Sequence, residues 1–336
     1  MYEKKQFTLL VWLVTQTIFL SRTGSAGNGV GRGLGPPILV PERVKSYGDA
    51  RMVVKQLRPL LSSSVPDHRS SKLDERMLAF AYFLGVMVGD MGKYPKRRRE
   101  YETMRVGLQL SKAHESNLRL GNYVVGCAAL LGIRMKRVGD YIRPENRPYN
   151  AYRWRSQSSE LLMWMFRACL GMDFDKVTTE VPVSADWLNF APRAFQKSFV
   201  QGVADSDGYV DVNKHEVGIV ADPNEFLIGR ILERLKIPFR PAIGKGQATV
   251  VMNVMHAHSL PIFNPVVRSY RFELAERLSN ATRLQGPWPG WLRGEVDRLL
   301  SSGASPKEII LTILNRYGVA IRSQHIRRRC YASRNN

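Results

Sequence analysis

From about Tyr47 onward, one order of segments runs through the chain twice: helix, hairpin, helix, hairpin, helix. The first pass opens with DERMLAFAYFLGVMVGD, residues 74–90, whose Phe80, Phe83, Leu84, Met87 and Val88 fall near helical spacing. A basic turn, KYPKRRRE, a strand, TMRVGLQLS, and a helix over about 115–132 follow. RMKRVGDYIRPENRPYNAYRWRSQ then reads as a hairpin, and SSELLMWMFRACLG as a helix capped by Ser158 or Ser159. The second pass starts at Asn189, a plausible cap, with Pro192 in the first helical turn. Its helix AFQKSFVQGVADSD leads to strands YVDVN and EVGIV, a helix over 224–235, a hairpin turning at Gly244–Gly246, and a helix over 267–279. Such a repeat predicts an α+β fold made by duplicating one unit, and 336 residues can give both copies a core.

Four regions follow from this pattern: an extension at 1–43, a first half-domain at 44–178, a second at 179–284, and a helical tail at 285–336. In the tail, helices are expected near 291–301, 305–316 and 323–331. Ser305, Pro306 and Glu308 supply cap, first-turn proline and capping-box acid. With the basic run SQHIRRRCYASR at its end, the tail suits a helix-turn-helix laid against DNA, or else a helical cap on the main body.

Residues 1–27 have the layout of a secretory signal, but the apolar run is 14 residues long with Thr and Gln inside it. It is read as an extension that does not direct export. Three scattered cysteines, Cys127, Cys169 and Cys330, give neither a disulfide framework nor a zinc site, which fits an intracellular protein without a membrane span.

The two opening helices end alike. Gly85 and Gly202 are each followed four residues later by a small residue, Gly89 or Ser206, and five residues later by an aspartate, Asp90 or Asp207. Small residues four apart share one helix face, so two such helices can pack closely and bring both aspartates to one end. Carboxylates gathered at two negative helix ends need a cation. Hard cations such as Mg²⁺ accept one or two carboxylates and fill the rest of their sphere with water and phosphate oxygens. An EF-hand reading of DSDGYVDVNKHE fails because Val210 stands where the loop needs glycine.

FLGVMVGDMG at 83–92 and VQGVADSDG at 200–208 resemble the two motifs that name the LAGLIDADG homing endonucleases. The second matches closely, while the first has Met91 in place of the final glycine and Val88 at the other acidic position. Separated by 117 residues, the motifs suit the single-chain, monomeric members. The resemblance spans roughly residues 45–283. It implies two pseudo-symmetric αββαββα halves whose saddle-like antiparallel sheets grip double-stranded DNA. Asp90 and Asp207 would hold Mg²⁺ or Mn²⁺ for phosphodiester hydrolysis, and a Lys or Gln would assist: by position this is Lys112 in the first half, while the matching region of the second half, IVADPNE, has no obvious lysine and Lys245, on a hairpin bend, is the candidate there. Asp205, opposite Val88, is taken as structural.

Charge agrees with a polyanionic partner: Lys and Arg number 50 against 29 Asp and Glu, a net charge of +21. Candidate DNA contacts are Lys93, Lys96, Arg97, Arg98, Arg99, Arg105, Lys136, Arg137, Arg153 and Arg155 in the first half, with only Lys214 and Arg240 in the second. The expected activity is intron-encoded, site-specific double-strand cleavage. The alternatives are an RNA-binding maturase of the same fold, acting on intron RNA, and a DNA-binding regulator that does not cut.

Overall fold

A computed structural model describes residues 75–98, 101–141, 150–172, 182–244, 246–284 and 287–327. The signal-like run, Arg99, Lys245 and the chain beyond Arg327 lie outside it, as do the side chains of Arg97 and Arg98.

Helix α1 (Glu75–Val88) opens the first half and is buried on every side, with Met77, Phe80 to Leu84, Val86 and Met87 all covered. It leads into β1 (Met91–Arg98), which pairs antiparallel with β2 (Tyr101–Ser111). Then come α2 (Ser116–Leu130), β3 (Met135–Tyr141), β4 (Ala151–Ser156) and α3 (Glu160–Trp164), the last continuing as a π-helical turn, Met165–Cys169. The second half begins with a 3₁₀ turn, Asp186–Phe190, followed by α4 (Arg193–Asp207), β5 (Gly208–Asp211) and β6 (Glu216–Val220). It continues with α5 (Glu225–Leu235), β7 (Arg240–Gly244), β8 (Gln247–Asn253), α6 (Val254–Ser259) and α7 (Tyr270–Asn280). The sheets run β1-β2-β4-β3 and β5-β6-β8-β7, one topology used twice.

Each sheet turns one face to the core. Along β2, Met104, Val106, Leu108 and Leu110 are buried while Arg105 and Gln109 alternate onto the other side, as the two-residue period of a strand requires.

Four expectations change, the first being the cap of α4, since Asn189 lies inside the 3₁₀ turn and the residue preceding α4 is Pro192. Residues 93–98 of KYPKRRRE form not a turn but most of strand β1, which tolerates Pro95 because β1 is an edge strand, where a missing N–H need cost no ladder bond. The helix expected from 267 begins at Tyr270, where the Ser269 side chain caps it by accepting from Phe272 N. Asn253 caps an additional short helix, α6, accepting from Met255 N at 2.9 Å.

The tail comprises α8 (Gly290–Ser301), α9 (Pro306–Tyr317) and a helix whose described part is 323–327. Both bonds of the capping box form: Ser305 N donates to Glu308 Oε2 at 2.7 Å, and Glu308 N to Ser305 Oγ at 3.3 Å. Among the described residues, no helix is long and apolar enough to cross a membrane.

Candidate active site

Helices α1 and α4 cross through their glycines. A β-carbon on Gly85 would overlap the Phe199 carbonyl oxygen, and one on Gly202 would overlap that of Tyr82. The backbones therefore touch directly. One turn later Gly89 lies against Ser206 and Asp207, where a β-carbon would fall 2.6 Å from Asp207 Oδ2. The aspartates that end the two helices are consequently brought within hydrogen-bonding reach of each other.

Both carboxyls are held above the ordinary carboxylate range. Burial is the main cause for each, and the charge of Asp90 adds to it at Asp207. Asp90 keeps surface open to solvent, but protein crowds its carboxyl closely enough for this to outweigh the neighbouring cations.

Those cations are Lys93 and Arg271. Lys93, on β1, donates from Nζ to Met91 O at 3.0 Å; burial lowers its pKa, and the two acids act in the opposite direction. Arg271, in the first turn of α7, donates from Nη1 to Asp205 O at 2.5 Å and from Nη2 to Ser206 O at 3.1 Å. It thereby satisfies carbonyls at the negative end of α4 while lying close enough to draw down both acids. Its guanidinium lies 4.9 Å from the Tyr270 ring centroid, and Tyr270 stacks on His114 at 3.7 Å. Arg271 is absent from the sequence candidates. The available signal is its position, since a cation in a helix's first turn opposes the helix dipole unless an anion faces it.

Asp205 is fully buried and accepts from Tyr82 Oη at 2.8 Å, Asn264 N at 3.2 Å and Ser269 Oγ at 3.2 Å. It ties α1, the 260–269 segment and the cap of α7 to α4, and burial pushes its carboxyl up to about 7.

Lys112 is engaged elsewhere. Its Nζ meets Asp140 Oδ2 at 2.6 Å, and Arg137 Nη2 meets Asp140 Oδ1 at 2.7 Å, both cations lying over the Tyr152 ring. Lys93, a DNA-contact candidate by sequence, is the lysine that stands beside the acids. On the outward face of the first sheet, register gathers Tyr94, Lys96, Arg105, Lys136, Arg153 and Arg155, with Arg105 5.3 Å from the Tyr94 ring centroid. On the second sheet Arg240 is bound by both oxygens of Glu216 at 3.0 Å, and Lys214 lies exposed in the β5–β6 turn.

No protein-family model matches the chain, and no curated protein does. Solved structures do. A mesophilic variant of the homing endonuclease I-DmoI is similar at 15% identity with a TM-score of 0.38, covering 56% of this chain and 97% of that one. The homing endonuclease I-WcaI bound to its DNA recognition sequence is similar at 12% identity and a TM-score of 0.40, covering 63% and 96%. The N-terminal LAGLIDADG domain of WhiA is similar at 12% identity and 0.34, covering 65% and 93%.

Proposed function

We propose that the chain is a metal-dependent, site-specific double-strand DNA endonuclease of the LAGLIDADG homing type, encoded within an intron and acting as a monomer. The observation that carries this reading is the meeting of Asp90 and Asp207 at the joined ends of α1 and α4, one acid from each half.

The donor set suits a hard divalent cation. It offers carboxylate oxygens only, and among the described residues no group of three or more His, Cys, Asp or Glu could hold a metal, so water and phosphate oxygens would complete the sphere. Mg²⁺ or Mn²⁺ held by Asp90 and Asp207 would activate water and stabilise the leaving oxygen. Lys93 and Arg271 add positive charge beside the acids, which attracts a backbone phosphate and offsets its charge. The basic outward face of the first sheet binds further phosphates, and its arginines can pair with guanine edges. The glycine crossing holds the two acids at one separation while the duplex is bound.

Incubation with Mg²⁺ and a duplex carrying the uninterrupted insertion site tests the reading. Cleavage of both strands is expected, with Asp90→Asn and Asp207→Asn each slowing it by at least ~10²-fold, the order seen for losing one preorganised electrostatic group. Uncut DNA together with faster splicing of the host intron would establish the maturase instead.

A further inference from the structure

The second sheet is cut short where the tail docks. Strands β1 and β2 pair from Met91↔Leu108 to Arg98↔Tyr101, whereas β5 and β6 pair only from Gly208↔Ile219 to Asp211↔Glu216. Four fewer residues at about 3.3 Å each leave the second hairpin roughly 13 Å shorter. It closes in the turn 212–215, and the tail arrives there.

His215 is buried in a left-handed conformation, φ 59°, and its Nε2 hydrogen-bonds Ile321 O at 3.1 Å. A second tie is a short parallel bridge in which Thr282 N donates to Gly318 O at 2.8 Å and Ala320 N to Thr282 O at 3.0 Å. Ile309, Ile313, Leu314, Val319, Ile321 and Ile326 are buried and belong to the same apolar core as the main body, so the tail is packed on that body rather than tethered to it.

Three exposed cations from three separate segments surround this joint: Lys214 from the hairpin turn, Arg283 from the stretch between α7 and α8, and Arg322 from the stretch after α9. Arg322 and Arg283 lie close enough to His215 that their charges add to burial in lowering its pKa. The nearby acid is Asp211, whose Oδ1 accepts from Asn213 N at 2.9 Å and Lys214 N at 3.3 Å and so holds the turn. Arg283 has a thioether partner, Nη1 to Met255 Sδ at 3.1 Å, which supplies no compensating charge. Cations gathered from separate segments onto a rigid surface repel one another, and a polyanion relieves that repulsion.

We propose that the joint bearing Lys214, Arg283 and Arg322 is a second phosphate-binding surface, through which the tail supplies the grip on the DNA backbone that the shortened hairpin no longer reaches. The inference rests on the endonuclease reading and names the element that holds the flank of the second half.

The test compares wild type with the triple variant Lys214→Gln, Arg283→Gln, Arg322→Gln on the insertion-site duplex. Thermal melting should be unchanged, because all three side chains are exposed. The slope of log affinity against log salt should fall by about 3, roughly one for each phosphate that is no longer neutralised, and backbone protection should disappear only on the second-half flank. The single variant Arg322→Gln should show about a third of that change in slope. An unchanged slope and footprint, or protection that weakens evenly on both flanks, overturns the proposal. A wild-type protein that binds no duplex at any salt overturns the endonuclease reading itself, and this inference with it.

Discussion

Matched by strand register, the two sheets hold different residues at nearly every outward position. Arg155 corresponds to Val251, Arg153 to Thr249, Arg105 to Glu216 and Tyr94 to Asp211; Lys136 corresponds to Arg240, which Glu216 neutralises. Near the acids, Lys93 corresponds to Val210. The helix crossing, by contrast, keeps Gly85 against Gly202, Gly89 against Ser206 and Asp90 against Asp207. The copies agree where backbone meets backbone and differ where the protein faces outward. Topology follows from the helix crossing and the inward apolar face, and neither constrains the outward charges.

The largest expected break in this comparison comes from overfilling the crossing. Gly85→Ala and Gly202→Ala should each cost about 3 kcal/mol, since each new methyl would meet a carbonyl oxygen of the partner helix. Thermal melting should fall by roughly 2–4 °C per kcal/mol. Costs differing by more than ~1 kcal/mol between the two variants would mean the crossing is less symmetric than the geometry implies.

A smaller effect sharpens the contrast between the sheets. Arg153→Ala with Arg155→Ala should weaken duplex binding and reduce the salt slope by about 2. Arg240→Ala should change the slope by well under 1, because its guanidinium is already paired with Glu216. An equal loss from the second sheet would refute the asymmetry.

The smallest effect concerns the acid pair that joins the two halves. Each has a folded pKa raised above its unfolded value of 3.8, so without metal the folded protein holds more protons than the unfolded chain. Stability of the metal-free protein should therefore decline as pH rises from about 4 to about 7, with buried Asp205 adding a background of the same sign. Melting across this range, with and without Mg²⁺, measures it. Added Mg²⁺ should flatten the decline, and Asp90→Asn and Asp207→Asn should each remove part of it, because the two carboxyls interact and titrate as a pair.

Local signals carried much of this arrangement into the sequence. Apolar spacing locates α1 to within two residues at its C-terminus, and Ser305 with Glu308 marks the start of α9 through chemistry confined to four residues. Gly85 and Gly202 are legible as a point of close approach because the same spacing to an acid occurs twice. Strand β1 is not: Pro95 inside a basic run reads as a turn until the neighbouring strand shows that it lies on an edge. The engagement of Lys112 by Asp140 spans 28 residues and depends on β4 lying between β2 and β3 and holding their ends level, with Ser111 and Tyr141 both paired to Ala151. Arg271 reaches carbonyls more than sixty positions earlier in the chain, a distance over which no spacing rule operates.

The glycine crossing also separates two kinds of change. Because main-chain atoms rather than side chains set the approach of α1 to α4, the distance between Asp90 and Asp207 does not depend on what the sheets carry outward. On the endonuclease reading, substitutions on the outward faces of the sheets would redirect which duplex is held without retuning the acid pair, whereas a single methyl at Gly85 or Gly202 would displace the acids of both halves together.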